Sequence, residues 1–111
     1  MQPEEILSVI RQAADAWMAG KADAFAVLFA ANGEFIVPGN RWVGQAAIRK
    51  AAADYASAYS EVKIHIKRII VNGNQAVVEW DWEDKENATG TRSQANDAIV
   101  IDFKDRRINR W

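Results

Sequence analysis

The chain has 111 residues, half of which are hydrophobic, and its 14 basic residues nearly balance 15 acidic ones. A chain of this length buries roughly two thirds of its unfolded surface, so it needs no disulfide to fold, and the absence of cysteine excludes thiolate chemistry. The net charge of −1 excludes the strong positive field that recruits nucleic acid or an anionic membrane.

Helical periodicity governs most of the first half of the chain. Residues 3–19 carry one apolar stripe, and Glu4 and Glu5 suit a first turn, where acids complement the helix dipole. The segment DAFAVLFAA, residues 23–31, predicts a short second helix that ends at Asn32-Gly33. The alanine-rich residues 45–58 predict a third helix with Tyr55 on its apolar stripe.

Strand patterns flank the third helix. Before it, residues 34–37 predict a short strand, followed by a turn at Pro38-Gly39 and an extended return to Gly44. After it the apolar period changes to two, and Asn72-Gly73 is a strong hairpin dipeptide. This order predicts one α+β domain over residues 1–111, with about three helices covering a curved, mainly antiparallel sheet. We expect long strands at residues 62–71, 75–84 and 92–103, and a short one at 108–111.

The stretch EWDWED, residues 79–84, alternates acids with tryptophans. Alternation at period two places Trp80 and Trp82 on one face of a strand and Glu79, Asp81 and Glu83 on the other. Across the hairpin the acids meet a basic stripe, so cross-strand ion pairs are expected. A stripe of mixed charge also suits the self-complementary contact of a homodimer. We predict such a dimer through the outer sheet face, at Lys63, His65, Lys67, Glu79 and Asp81.

The sequence carries no motif for a cofactor, a metal or a targeting signal. It lacks a phosphate loop and a dinucleotide fingerprint, and its single histidine, His65, has no second ligand to share a metal. The segment MQPEEILSVIRQ has acids where a signal peptide needs bases, and no apolar run is long enough to span a bilayer. We therefore expect a cytoplasmic protein without a cofactor and without nucleic-acid or membrane partners.

Asp97 is the acid that the strand pattern aims at the apolar side. Ile99, Ile101 and Phe103 form the apolar face of the strand over residues 92–103, and Asp97 shares their parity. A partly desolvated carboxylate suits general acid or base catalysis. The alternative is structural: Asp97 lies near the open end of the strand and is solvated, or a β-bulge changes the parity.

The chain has more large aromatic residues than packing of so small a domain requires. Buried aromatics fill a core, but they also wall apolar ligand pockets that hold few polar anchors. We predict a site for a small hydrophobic or aromatic molecule, with Asn109, Asp97 or a tyrosine hydroxyl as a polar anchor; Asn109 is a candidate because it shares the parity of Trp111. The other predicted pocket residues are Trp17, Phe35, Trp42, Tyr55, Trp80, Trp82 and Trp111.

Four segments in the same order resemble the nuclear transport factor 2-like superfamily: AWMAGKADAFAVLFAANGEFIVPG, WVGQAAIRKAAADY, RIIVNGNQAVVEWDW and the ending DAIVIDF…RINRW. Within that superfamily the chain is similar to the SnoaL-like polyketide cyclases and the ketosteroid isomerases. The resemblance implies a cystatin-like cone. It also implies either a cofactor-independent isomerase, cyclase, dehydratase or hydrolase, or a non-catalytic ligand-binding or dimerisation module.

The catalytic residues of the ketosteroid isomerases do not carry over to this chain. The position of the isomerase base matches Val37, that of the oxyanion tyrosine matches Ala13, and that of the second aspartate matches Ile99. All three side chains are apolar, so the resemblance does not imply isomerase chemistry of that type.

Overall fold

A computed structural model describes all residues from Met1 to Trp111. Three helices and six strands follow one another along the chain. The helices are α1 (Pro3–Met18), α2 (Ala22–Ala26) and α3 (Gln45–Ala58). The strands are β1 (Phe29–Val37), β2 (Asn40–Val43), β3 (Tyr59–Asn72), β4 (Gln75–Glu86), β5 (Arg92–Lys104) and β6 (Arg107–Arg110). The predicted α+β architecture is confirmed, and none of the helices combines the length and apolar character needed to cross a bilayer.

The six strands form one sheet in the order β2-β1-β6-β5-β4-β3. All neighbours are antiparallel except β1 and β6, which run parallel. The Asn72-Gly73 hairpin joins β3 to β4 as predicted, with Asn72 opposite Gln75. A register shift between Ile66 and Arg68 reverses the facing of the β3 residues beyond it.

The second helix is shorter than its apolar pattern predicts. It ends at Ala26, and residues from Phe29 onward belong to β1 instead of the helix. Phe29 is paired with Ile108, whose N–H donates to the carbonyl oxygen of Leu28 at 2.8 Å. This pairing joins segments almost eighty residues apart, so sheet formation overrides the local helical period. Gly33 permits the close approach, since a Cβ there would lie 2.8 Å from the carbonyl oxygen of Ile108.

The helices pack on one face of the sheet and enclose the core. Ile6 and Ile10 of α1 are fully buried, as are Ile48 of α3 and Ile101 of β5. Phe25 and Phe29 fill the space between α2 and the sheet, with ring centroids 5.2 Å apart. The buried core therefore lies between the helices and this face of the sheet.

One side of β5 has no neighbouring strand along most of its length. The pairing with β6 covers only Asp102 to Lys104, whereas β4 pairs with β5 from Arg92 to Asp102. Residues 92–101 therefore have a free edge on the β6 side. This edge frames the opening of the cavity described below.

Candidate functional site

The concave face of the sheet encloses a cavity of about 750 Å³. Seventeen of its 21 lining residues are hydrophobic, so its wall is predominantly apolar. The seven aromatic residues predicted to form a pocket all line it: Trp17, Phe35, Trp42, Tyr55, Trp80, Trp82 and Trp111. The positions matched to the isomerase residues, Ala13, Val37 and Ile99, line it as well.

The aromatic residues of the wall contact one another in a continuous network. Trp17 packs against Tyr55 with centroids 4.7 Å apart, and Trp80 packs against Trp111 at 5.6 Å. Trp80 and Trp111 are only 7% and 8% exposed, whereas Trp17 and Trp82 are half-buried. The rings thus pack against the core on one side and border the cavity on the other. The aromatic residues therefore both fill the core and wall a pocket, the two roles that the sequence predicted.

Asp97 lies at the opening of the cavity. It lines the cavity together with Ala95 and Ile99, as the strand parity predicts, and is paired in register with Trp80. Its carboxylate makes no hydrogen bond or ion pair within the protein, and Nε1 of Trp80 is buried without an acceptor. Asp97 is exposed because β5 has a free edge here, so the expected desolvation is not observed. The residue therefore faces both cavity and solvent.

Tyr55 and Asp84 form a buried pair at the inner wall of the cavity. The Tyr55 hydroxyl donates a hydrogen bond to Oδ2 of Asp84 at 2.5 Å. Asp84 is only 1% exposed, and its Oδ1 has no partner. Asp84 was not among the predicted site residues, although it shares the parity of Trp80 and Trp82. Extending the same alternation by one more inward position would have found it.

The environment of Tyr55 raises the pKa of its hydroxyl well above the ordinary value. Burial is the largest cause, followed by the hydrogen bond to Asp84 and the negative charge of that carboxylate, while the Trp17 and Trp82 side chains act in the opposite direction. Tyr55 therefore stays protonated, with its proton directed toward Asp84. Its contribution to the cavity is its ring, since the hydroxyl is not free to donate to a ligand.

Asn109 does not line the cavity, unlike the expectation from strand parity. Phe103 pairs with Ile108 and Asp102 pairs with Arg110, which leaves Asn109 as the extra residue of a bulge in β6. The bulge interrupts the alternation, so Arg110 lines the cavity beside Trp111 and Asn109 does not. A bulge of this kind depends on the neighbouring strand and leaves no mark in the short segment RINR.

The outer face of the sheet carries the predicted cross-strand ion pairs. Lys63 and Glu83 approach to 3.6 Å, as do Lys67 and Asp81. The bulge in β3 adds a third pair, Arg68 and Glu79, also at 3.6 Å. His65 is exposed opposite Asp81, and no three potential metal ligands cluster anywhere in the protein. Exposed pairs at this distance contribute little stability each.

Beside these pairs lies a row of exposed apolar side chains, here called the outer apolar row: Ile70, Val77 and Val100. They stand opposite one another on β3, β4 and β5 and are 53%, 38% and 61% exposed.

Several solved structures share this fold. A protein of ketosteroid isomerase-like fold from Catenulispora acidiphila, in complex with trimethylamine, has a TM-score of 0.86 at 20% identity over 99% of this chain and 83% of its own. An LEH-like epoxide hydrolase from M. tuberculosis has a TM-score of 0.85 at 16% identity, covering 97% of this chain and 80% of its own. The epoxide hydrolase/cyclase-like enzyme SalBIII, of pyran ring formation in salinomycin, has a TM-score of 0.83 at 21% identity, covering 99% and 90%.

The high TM-scores establish the fold. Because all three sequence identities are low, they establish nothing about activity. No curated protein matches the sequence significantly. The model of the SnoaL-like domain, in contrast, matches residues 10–111, which is nearly the whole chain. The chain therefore belongs to the SnoaL-like domain family within the nuclear transport factor 2-like fold.

Proposed function

We propose that the protein binds a small, largely apolar molecule in the cavity of its cone. The observation that carries the proposal is the cavity itself: about 750 Å³, walled mainly by aromatic and aliphatic side chains. Ligand sites in proteins have volumes of roughly 300–1,000 Å³ and combine such walls with few polar groups. Relatives of the same fold act in epoxide hydrolysis and ring formation or bind trimethylamine, which supports the use of this cone for small molecules.

A catalytic role for Asp97 is the second part of the proposal. Asp97 is the one lining acid without an internal partner, since Asp102 accepts a hydrogen bond from Gln75 at 2.8 Å. As a general base, Asp97 would take a proton from a carbon or hydroxyl of the ligand and return it at another atom, so no cofactor is consumed. The competing function is a non-catalytic binding module, which the apolar side chains of Ala13, Val37 and Ile99 favour.

Filling the cavity tests the binding function. Ala95→Phe places a ring at the opening, and we expect it to abolish the saturation-transfer NMR signal of a neutral aromatic probe, indole. Ala53→Phe makes the same change on the exposed face of α3 and should leave the signal intact. Circular dichroism reports whether both variants remain folded. Unchanged indole binding by a folded Ala95→Phe variant would refute the proposal.

We further propose that two copies associate through the outer sheet face. Lys63 and Lys67 are already paired with acids of β4, so the charges bordering this face are balanced. The outer apolar row remains without a cover, and a two-fold contact would remove it from water on both copies at once.

A further inference from the structure

The charged residues around the cavity carry a negative excess. Only three charged side chains line it: Asp97, Asp102 and Arg110. The guanidinium of Arg110 lies 4.0 Å from Oε2 of Glu34, an acid that also pairs with Arg41. The two lining aspartates have no cationic partner. A ligand that enters the cavity therefore meets two acidic side chains without cationic partners and one basic side chain, Arg110, which lies beside Glu34.

A further acid lies just behind the cavity wall. The carboxyl of Asp84 is nearly inaccessible to solvent, its only hydrogen bond comes from the neutral hydroxyl of Tyr55, and its Oδ1 has no partner. It forms no ion pair, in contrast to the acids of the outer face. Charges interact more strongly in a protein interior than in water, because the dielectric constant is lower. A positive charge in the cavity would be attracted by this acid.

The aromatic wall is suited to the same kind of charge. Trp17, Trp42, Trp82 and Tyr55 line the cavity and are only partly buried, so part of their ring surface is open to a ligand. The faces of indole and phenol rings carry partial negative charge and attract cations, and alkylated ammonium groups are bound by such aromatic cages. Aromatic rings and unpaired carboxylates thus favour the same sign of ligand charge.

The cavity wall offers few side-chain hydrogen-bond acceptors, and this limits the kinds of cation that it can bind well. A primary ammonium group has three N–H donors that need partners when it leaves water. The wall is mainly hydrophobic, and Asp97 is the one lining acid whose side chain makes no hydrogen bond within the protein. A tertiary ammonium ion needs one acceptor and a quaternary ion needs none. The cavity is therefore better matched to an alkylated ammonium group than to a primary amine.

We propose that the ligand of this cavity is a small organic cation with a tertiary or quaternary ammonium group. Its alkyl groups contact the indole rings, and its charge faces Asp97. The proposal rests on the proposed binding function and specifies the class of ligand.

A pair of probes of equal shape tests the charge alone. Choline and 3,3-dimethyl-1-butanol differ in that a neutral carbon replaces the charged nitrogen. We expect calorimetry at low ionic strength, where screening is weak, to give choline at least about tenfold higher affinity. If the neutral alcohol binds as tightly as choline, the cation proposal is overturned while binding in the cavity stands. If neither compound binds, the cation proposal also fails, and the indole experiment decides the binding function independently.

Two variants localise the effect within the cavity. Asp97→Asn should lower choline affinity several-fold and leave the neutral alcohol unaffected, whereas Asp105→Asn, a change of the same kind in an exposed turn, should alter neither. Trp82→Leu should weaken choline about two- to five-fold, the usual range of one exposed cation–π contact. Choline binding that is indifferent to both Asp97→Asn and Trp82→Leu would place the cation elsewhere and contradict the proposal.

Discussion

The hydroxyl oxygen of Tyr55 lies 2.5 Å from Oδ2 of Asp84, and this is the only hydrogen bond that the buried carboxyl receives. Helix α3 supplies the tyrosine and strand β4 supplies the acid, so the bond joins the helical layer to the sheet at the inner wall of the cavity. The Tyr55 ring also stacks on Tyr59, with centroids 4.8 Å apart. The pair thus fixes part of the wall.

Removing the hydroxyl should destabilise the protein. Tyr55→Phe leaves the Asp84 carboxyl buried with no donor, and an unsatisfied buried group costs about 1–3 kcal/mol. We expect the free energy of unfolding, measured with urea at neutral pH, to fall by that amount. Tyr59→Phe is the matched control, because it removes a hydroxyl that makes no hydrogen bond from the neighbouring ring. Equal stability of the two variants would show that the bond to Asp84 contributes nothing.

The raised pKa of Tyr55 makes stability depend on pH in the alkaline range. The folded state holds the phenol proton more tightly than the unfolded chain, whose tyrosine pKa is about 10. The stabilisation is therefore fully present below about pH 10 and is lost as the pH rises further, because only the unfolded state then gains by releasing the proton. We expect urea unfolding of the wild type to show a steeper alkaline loss than that of Tyr55→Phe. Parallel pH profiles would contradict this assignment.

Asp97 should affect turnover more than binding if it transfers protons. For a ligand that the protein converts, Asp97→Asn should lower kcat by about 100-fold or more, the usual contribution of a general base. The affinity for the same ligand should change only several-fold, since an exposed carboxylate contributes modestly to binding. Steady-state kinetics and calorimetry separate the two quantities, with Asp105→Asn as the control. A kcat that is unchanged in Asp97→Asn would rule out its catalytic role.

A charge within the outer apolar row should prevent self-association. We expect sedimentation velocity to show a dimer of the wild type at micromolar concentration and a monomer of Val77→Lys, because the buried ammonium would lack a partner. Val27→Lys provides the control: Val27 is 54% exposed and lies outside the row, so this variant should remain dimeric. A wild type that sediments only as a monomer would refute association through this face.

Sequence periodicity correctly placed those site residues whose orientation depends only on the alternation of their own strand. The alternation in EWDWED placed Trp80 and Trp82 correctly, and the parity of β5 placed Asp97 on the cavity side. The pattern fails where a distant segment decides the structure. The bulge at Asn109 depends on its pairing with β5, and the early end of α2 depends on the pairing of Phe29 with Ile108. In both cases the strand that causes the change lies outside the segment whose structure it changes.

The pairing of Tyr55 with Asp84 was missed for a different reason. Asp84 is the last acid of an alternating run whose other acids face solvent, and a carboxylate is rarely buried without a cation. The residue type of Asp84 therefore favours exposure, whereas its position in the strand alternation favours burial. Only the position of α3 over the end of β4 shows that parity prevails.

The free edge of β5 affects the rate of backbone hydrogen exchange as well as the shape of the cavity opening. Along residues 92–101 every second backbone amide points away from β4 and has no strand to accept its proton. These amides should exchange with deuterium quickly while their immediate neighbours stay protected. Because no strand covers this edge, we expect a ligand to reach the opening of the cavity here without breaking any strand pairing.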